Sequence, residues 1–298
     1  MDIDALQINF SGDNLLLLNI CIGIVMFGVA LELTVEDFLR IIRYPKLALI
    51  GLGSQFILLP LITFLLIVVA KPHPSVALGM ILVAACPGGN VSNFVASLSN
   101  ANAALSISLT AVATLFTFIM TPINFTLWGN LYPPTAELLQ SVEINFWVLV
   151  RMVLMLLVIP VGIGMTLSSK YPLFTHKIAR PVKIFSLIAF GALLVVAVSK
   201  NYDLFINEIH RVFGLVFIHN TLGFIGGYLV AYSFGLHERD RRAISLETGL
   251  QNSAFALVLI FDFFSGLGGM AMVAAWWGIW HLISGLSLSF FWANRPTS

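Results

Sequence analysis

The stretch from Pro72 to Ala136, PHPSVALGMILVAACPGGNVSNFVASLSNANAALSISLTAVATLFTFIMTPINFTLWGNLYPPTA, contains no Asp, Glu, Lys or Arg. A membrane-spanning helix needs roughly 20 apolar residues, so this stretch crosses a bilayer more than once. The rest of the chain has the same character: of 298 residues, 59% are hydrophobic and 10% charged, with a mean hydropathy of +0.97. A soluble domain carries about 25% charged residues, so there is too little polar surface here to cover a water-soluble globule. Outward from the central stretch, runs of helical length predict about nine spans. They lie near Leu15–Leu31, Leu47–Ala70, Ser75–Leu98, Ala101–Trp128, Phe146–Leu167, Ile184–Val198, Val212–Gly235, Ala243–Phe261 and Leu267–Trp292. Their length argues for helices over a barrel, whose strands need only about 10 alternating residues.

Basic residues in the loops set an orientation. Arg40, Arg43 and Lys46 follow the first span, Lys170, Lys177, Arg180 and Lys183 the fifth, and Arg239, Arg241 and Arg242 the seventh, with Arg295 in the tail. If nine spans alternate, all of these fall on one side, and the other side receives only Lys71, Lys200 and Arg211. The positive-inside bias then places the N-terminus outside and the C-terminus in the cytoplasm, in a plasma membrane or bacterial inner membrane. A net charge of +1 gives no basis for nucleic-acid binding. Cys21 and Cys86 lie in apolar runs, where small-hydrophobe packing is the default. The acidic N-terminus MDIDALQINFSGDN lacks the basic region of a cleaved signal peptide, so the first apolar run is expected to be a retained span.

Two spans carry helix breakers and polar groups. In the third, CPGGNVSN (Cys86–Asn93) sets Pro87, Gly88 and Gly89 before Asn90, Ser92 and Asn93; in the eighth, ETGLQNS (Glu247–Ser253) sets an acid, two amides and a glycine in an apolar segment. Proline removes a backbone donor and glycine admits non-helical angles. Irregular backbone at membrane depth persists only where protein or a water-filled cavity covers it. Interrupted segments at corresponding places in two halves point to a transporter's midplane site. With halves of spans one to four and five to nine, each break falls in the next-to-last span of its half. That placement fits an inverted five-span repeat whose first half has lost its opening span.

The polar residues near the breaks suit a hard cation, which takes oxygen ligands. Ser106 and Thr110 stand four apart and so share a helix face, as do Glu247 and Gln251. Ser92 and Asn93 sit at the first break, Gln55 is a lone amide in the second span, and unwound carbonyls near Thr248 and Leu250 offer further oxygens. His73, His176 and His237 fall in predicted loops, and His210, His219 and His281 have no carboxylate or cysteine cluster beside them. Transition-metal chemistry is therefore poorly supported, and no nucleophile–base arrangement or nucleotide-binding fingerprint is present. Arg151, early in the fifth span, is expected to snorkel to the interface.

The segments MFGVALELTVEDFLRIIRYPKLALIGLGSQFILLPL (Met26–Leu61), LGMILVAACPGGNVSNFVASLSNANAALSISLT (Leu78–Thr110), HNTLGFIGGYLVA (His219–Ala231) and ISLETGLQNSAFAL (Ile244–Leu257) resemble the bile acid:sodium symporter family, in the nine-span form of the vertebrate sodium/bile acid cotransporters. The resemblance covers nearly the whole chain. It implies a core domain with two broken helices crossing at its centre, from the spans near 47–70, 75–98, 101–128, 212–235, 243–261 and 267–292. It also implies a panel domain from those near 15–31, 146–167 and 184–198. Two sodium sites are implied: one from Ser92, Asn93, Ser106, Thr110 and Glu247, the other from Gln55, Glu247, Gln251 and the carbonyls of Thr248 and Leu250. Asn90 and Asn252 match positions associated with substrate contact, although Asn90 stands where some bacterial members have Thr.

The expected protein is therefore an all-α polytopic membrane protein that carries an organic anion with sodium by alternating access, without a cofactor. Two cations around one carboxylate leave positive charge in excess, which an anion would balance, and helix N-termini add to it. A bile salt and a smaller carboxylate such as pantoate both fit this reading. The rival within transport is a proton-coupled or exchanging carrier that uses Glu247. A membrane receptor or intramembrane enzyme is a poorer fit, because neither accounts for paired broken helices.

Overall fold

A computed structural model of the chain describes residues 3, 19–20, 23–28, 30–31, 33–142, 146–182, 184–185, 188 and 202–297. The described residues are almost entirely helical. In chain order the elements are α1 (Val35–Arg43), α2 (Pro45–Ala70), α3 (Pro74–Ala85), α4 (Asn90–Leu98), α5 (Ala103–Leu131), α6 (Pro133–Ser141), α7 (Phe146–Lys170), α8 (Tyr202–Ser233), α9 (Glu238–Gly249), α10 (Ser253–Phe264) and α11 (Gly268–Ala293). Among the described residues, five uninterrupted apolar helices are long enough to cross a bilayer: α2, α5, α7, the part of α8 from Val212, and α11. The chain is a multi-pass membrane protein. Most of the expected span near 184–198, and part of that near 15–31, lies outside the described residues.

The third and eighth expected spans are each two half-helices, α3 with α4 and α9 with α10. The cause is local. After Ala85 and after Gly249 the chain turns extended, with Cys86 at ψ 156° and Leu250 at ψ 91°. The second half of each pair then restarts under an amide or a glycine.

Residues Ser75 to Ala85 of α3 are buried on every side, as an all-apolar helix requires when it lies at the centre of a bundle. By contrast α2 turns Ile57, Leu65 and Val69 outward, the pattern of a lipid-facing helix. Both α2 and α7 contain a π turn, at Ser54–Leu58 and Leu154–Val158, in which the next residue bonds five back: Leu59 to Ser54 and Ile159 to Leu154. A proline follows each turn, Pro60 and Pro160. Its missing N–H and its clash with the carbonyl four residues earlier favour a widened ladder.

Two corrections to the sequence analysis concern the connecting segments. The α1 segment is a surface helix, begun by the Asp37 carboxylate, which accepts from the Thr34 backbone N–H at 2.9 Å and from its hydroxyl at 2.8 Å. The second correction is that α9 begins at Glu238, five residues before the expected Ala243, so that Arg239, Arg241 and Arg242 are helical instead of lying in a loop. Arg242 is only 1% exposed. Its guanidinium donates to Glu238 at 2.8 Å, to the Ser99 carbonyl at 3.1 Å and to the Trp292 and Pro296 carbonyls at 3.0 and 3.1 Å. It thereby ties carbonyls at and beyond the ends of α4 and α11, where helix bonds run out.

The basic segments converge at one end of the bundle. Arg40 and Tyr44 line a cavity with Asn102 and Asp240, and Arg242 meets the tail at Arg295. Ser168, beside Lys170, donates to the Leu31 carbonyl at 3.2 Å.

A candidate cation site at the crossing of two broken helices

The two unwound segments cross antiparallel and hydrogen-bond to each other. Gly89 N–H donates to the Leu250 carbonyl at 3.0 Å and Asn252 N–H to the Pro87 carbonyl at 2.9 Å, forming a bridge between Gly88 and Gln251. The half-helix ends beside this bridge are finished by side chains from neighbouring helices. Thr121 of α5 donates to the Ala85 carbonyl at 2.5 Å, and Asn220 of α8 to the Gly249 carbonyl at 2.7 Å. The Asn220 carbonyl oxygen is held in turn by Ser284 of α11 at 2.6 Å. Thr121 and Asn220 had no assigned role in the sequence, and their partners lie 36 and 29 residues away.

Beside the bridge lies a knot of side-chain oxygens. Glu247, 1% exposed, accepts from Ser92 at 2.7 Å and Ser106 at 3.1 Å through one carboxylate oxygen, and from Thr110 at 2.7 Å through the other. Asn93 Oδ1 accepts from the same Ser106 and Thr110 hydroxyls at 2.9 and 3.1 Å, and Ser92 also reaches the Gly89 carbonyl at 2.7 Å. These five residues were predicted as the first cation set, and the structure brings all five together. Each hydroxyl faces two acceptor oxygens but carries one proton. Some oxygen pairs at hydrogen-bond distance therefore have no hydrogen between them. An oxygen-coordinated cation resolves that conflict, and Glu247 supplies the compensating charge.

The second predicted set is arranged differently. Gln55 sits within the π turn of α2, where the widened ladder carries it to the crossing, and a π turn often marks a functional position. The Gln55 and Gln251 amides bond reciprocally, at 2.7 and 3.0 Å. Gln55 also donates to the Cys86 carbonyl at 2.9 Å and Gln251 to that of Thr248 at 2.8 Å. The Leu250 carbonyl is taken by Gly89, and the Glu247 carboxylate is turned to the first set. Gln55, Gln251 and Thr248 are thus adjacent, whereas Leu250 and the Glu247 carboxylate serve other partners in this conformation. Asn252 caps α10 by accepting from Phe255 N–H at 3.1 Å. Asn90 opens α4, and its side chain lies outside the described residues.

Gln55→Ala leaves the Cys86 carbonyl and the Gln251 amide oxygen without a partner while sparing the Glu247 knot. Sodium-titrated uptake is expected to show about tenfold weaker half-saturation, roughly 1.4 kcal/mol, and a Hill coefficient falling from near two towards one. Complete loss of sodium response in a normally expressed variant would make the two sets inseparable.

Residues 19–208 match the family described as the Sodium Bile acid symporter family. The chain belongs to it. This sodium bile acid symporter family protein is 29% identical over 278 residues to the uncharacterized sodium-dependent transporter YocS of Bacillus subtilis, covering 93% of this chain and 83% of that protein. It is 30% identical over 273 residues to the probable sodium/metabolite cotransporter BASS1 of Arabidopsis thaliana, covering 90% and 65%. It is 27% identical over 247 residues to the human ileal sodium/bile acid cotransporter, covering 82% and 68%. The chain therefore spans most of the bacterial relative and about two thirds of the other two. The family is one of sodium-dependent transporters.

Proposed function

We propose that the protein is a secondary active symporter that moves an organic anion with sodium by alternating access. Ser92, Asn93, Ser106, Thr110 and Glu247 would hold one Na⁺. Gln55, Gln251 and the carbonyls of Thr248 and Leu250 would hold a second once Glu247 turns towards it. Asn90 and Asn252, at the starts of the second half-helices, would meet the substrate where helix N-termini favour negative charge. The core would comprise α2 to α5 with α8 to α11. The first span and α7 would belong to the panel, as would the span near 184–198. The basic end of the bundle would face the cytoplasm. The observation that carries this reading is the excess of acceptor oxygens over protons around Glu247, inside a bridge between two broken helices.

Two Na⁺ with one monovalent anion move one net positive charge inward per cycle. A potential of 100 mV is worth roughly 2.3 kcal/mol per charge, or about a 50-fold accumulation ratio. Purified protein in proteoliposomes, with sodium outside and an inside-negative potassium diffusion potential, is expected to take up a bile salt or pantoate faster than without the potential. Uptake that needs sodium but ignores voltage would leave one sodium per anion. Uptake driven by a pH gradient without sodium would replace sodium coupling by proton coupling.

A further inference from the structure

Asp262, on α10, is a second acid inside a helical span, and the oxygen knot does not use it. Ionisable groups at membrane depth are costly and are retained where they function. Asp262 lies ten residues beyond Asn252, about 15 Å along the helix. That distance takes it from the break to near the edge of a hydrocarbon core of about 30 Å. There it meets the first span, where Asn19 Nδ2 donates to Asp262 Oδ1 at 3.3 Å. The same two elements meet again beside the break, where Asn252 Nδ2 approaches Met26 Sδ at 4.0 Å. Asn19 and Met26 thus meet opposite ends of α10, in antiparallel order.

The Asn19–Asp262 pair is incomplete. Asn19 Oδ1 and Asp262 Oδ2 are both buried and both lack a hydrogen-bond partner. An amide oxygen and an ionised carboxylate oxygen can only accept. One proton on Oδ2 satisfies both: the acid O–H donates to Asn19 Oδ1 while Asn19 Nδ2 still donates to Oδ1, closing a neutral ring of two bonds. Without it, a negative charge and two unpaired acceptors remain in the contact. The described helices packed against α10 include α3, α11 and, through Phe125 on Phe264, α5, whose residues Ala103–Leu131 carry no titratable group. Residues Pro74–Ala85 carry no titratable group, and α11 carries only His281, whose Nδ1 is engaged by the Trp277 carbonyl at 2.6 Å. Among the described residues, no ion pair involves Asp262.

We infer that Asp262 is a proton-binding site whose protonation latches Asn19 to the end of α10 and whose ionisation releases it. The latch is separate from the sodium reading, and its test needs neither sodium nor substrate. Met26 lies beneath the pair, only 6% exposed, and makes a reporter. In a Cys21→Ser, Cys86→Ala, Met26→Cys background, proteoliposomes of each orientation are labelled with a membrane-impermeant maleimide from about pH 5 to about pH 9. The rate with Asp262 is divided by that with Asp262→Asn, whose amide keeps both bonds at every pH; the ratio cancels the thiol's own ionisation. The ratio is expected near one at the acid end and roughly fivefold or more at the alkaline end, as loss of about one hydrogen bond allows. Asp262→Ala and Asn19→Ala, which lack the ring, are expected to label fast throughout. A flat ratio, or alanine variants no faster than Asp262→Asn, overturns the latch. A ratio that follows sodium at fixed pH would replace the proton by a metal cation.

Discussion

Glu247→Gln is expected to abolish sodium-driven uptake. The substitution preserves shape and volume, so α9 should pack as before, but it removes the only charge in the oxygen knot and replaces one acceptor oxygen by an NH₂. That donor would face hydroxyls which already point their protons inward: Ser92 and Ser106 on one carboxylate oxygen, Thr110 on the other. Hydrogen bonds to a charged group are worth roughly 1.5–3 kcal/mol each, and losing two of them weakens a cation site by about 100-fold or more. Thermal unfolding of the purified variant, with and without sodium, separates binding from transport: the variant should unfold at the same temperature in both. Sodium-dependent uptake that survives in a normally expressed variant would remove Glu247 from the coupling site.

Gly88→Ala should be nearly as damaging, for a steric reason. A methyl group on Gly88 would overlap the Glu247 carboxylate, Cδ included. The obstruction comes from the group that the site is built around, and the bridge to Gln251 leaves Gly88 little room to withdraw. Uptake should fall to background while the protein still reaches the membrane, with sodium-dependent stabilisation lost in parallel. Gly89→Ala is the control, since its added carbon would sit 3.7 Å or more from any neighbour. Equal loss in both variants would point to backbone flexibility instead of a clash with Glu247.

The sequence disclosed what is local. Pro87, Gly88 and Gly89 inside an apolar run announce a break, and the spacings Ser106/Thr110 and Glu247/Gln251 announce shared faces. The candidate oxygens were legible for that reason, while their grouping around Glu247 came from the family resemblance. Partnerships over long distances were not. Thr121 and Asn220 read as ordinary polar residues in long spans, because nothing near them in sequence reveals the carbonyl each one finishes. Arg242 was hidden by its neighbours: beside Arg239 and Arg241 it reads as loop charge, yet it is buried against the carbonyls of Ser99, Trp292 and Pro296. The two π turns have only Pro60 and Pro160 as local signals, and a proline alone does not distinguish a kink from a widened turn. Asp262, a single acid among phenylalanines, gained meaning only when Asn19 came beside it.

The bridge between the breaks also constrains how the protein is made. Ser92 waits 155 residues for Glu247, and Gly89 N–H waits comparably for the Leu250 carbonyl. At roughly 5–20 residues per second of synthesis, the first break leaves the ribosome about 8–30 seconds before its counterpart exists. For that interval its polar backbone has no partner that lipid could supply. The α3–α4 half-helices must therefore be kept wet or escorted during insertion. Stalling of translation between Asn93 and Glu247 is the moment at which the nascent chain is most exposed to membrane proteases.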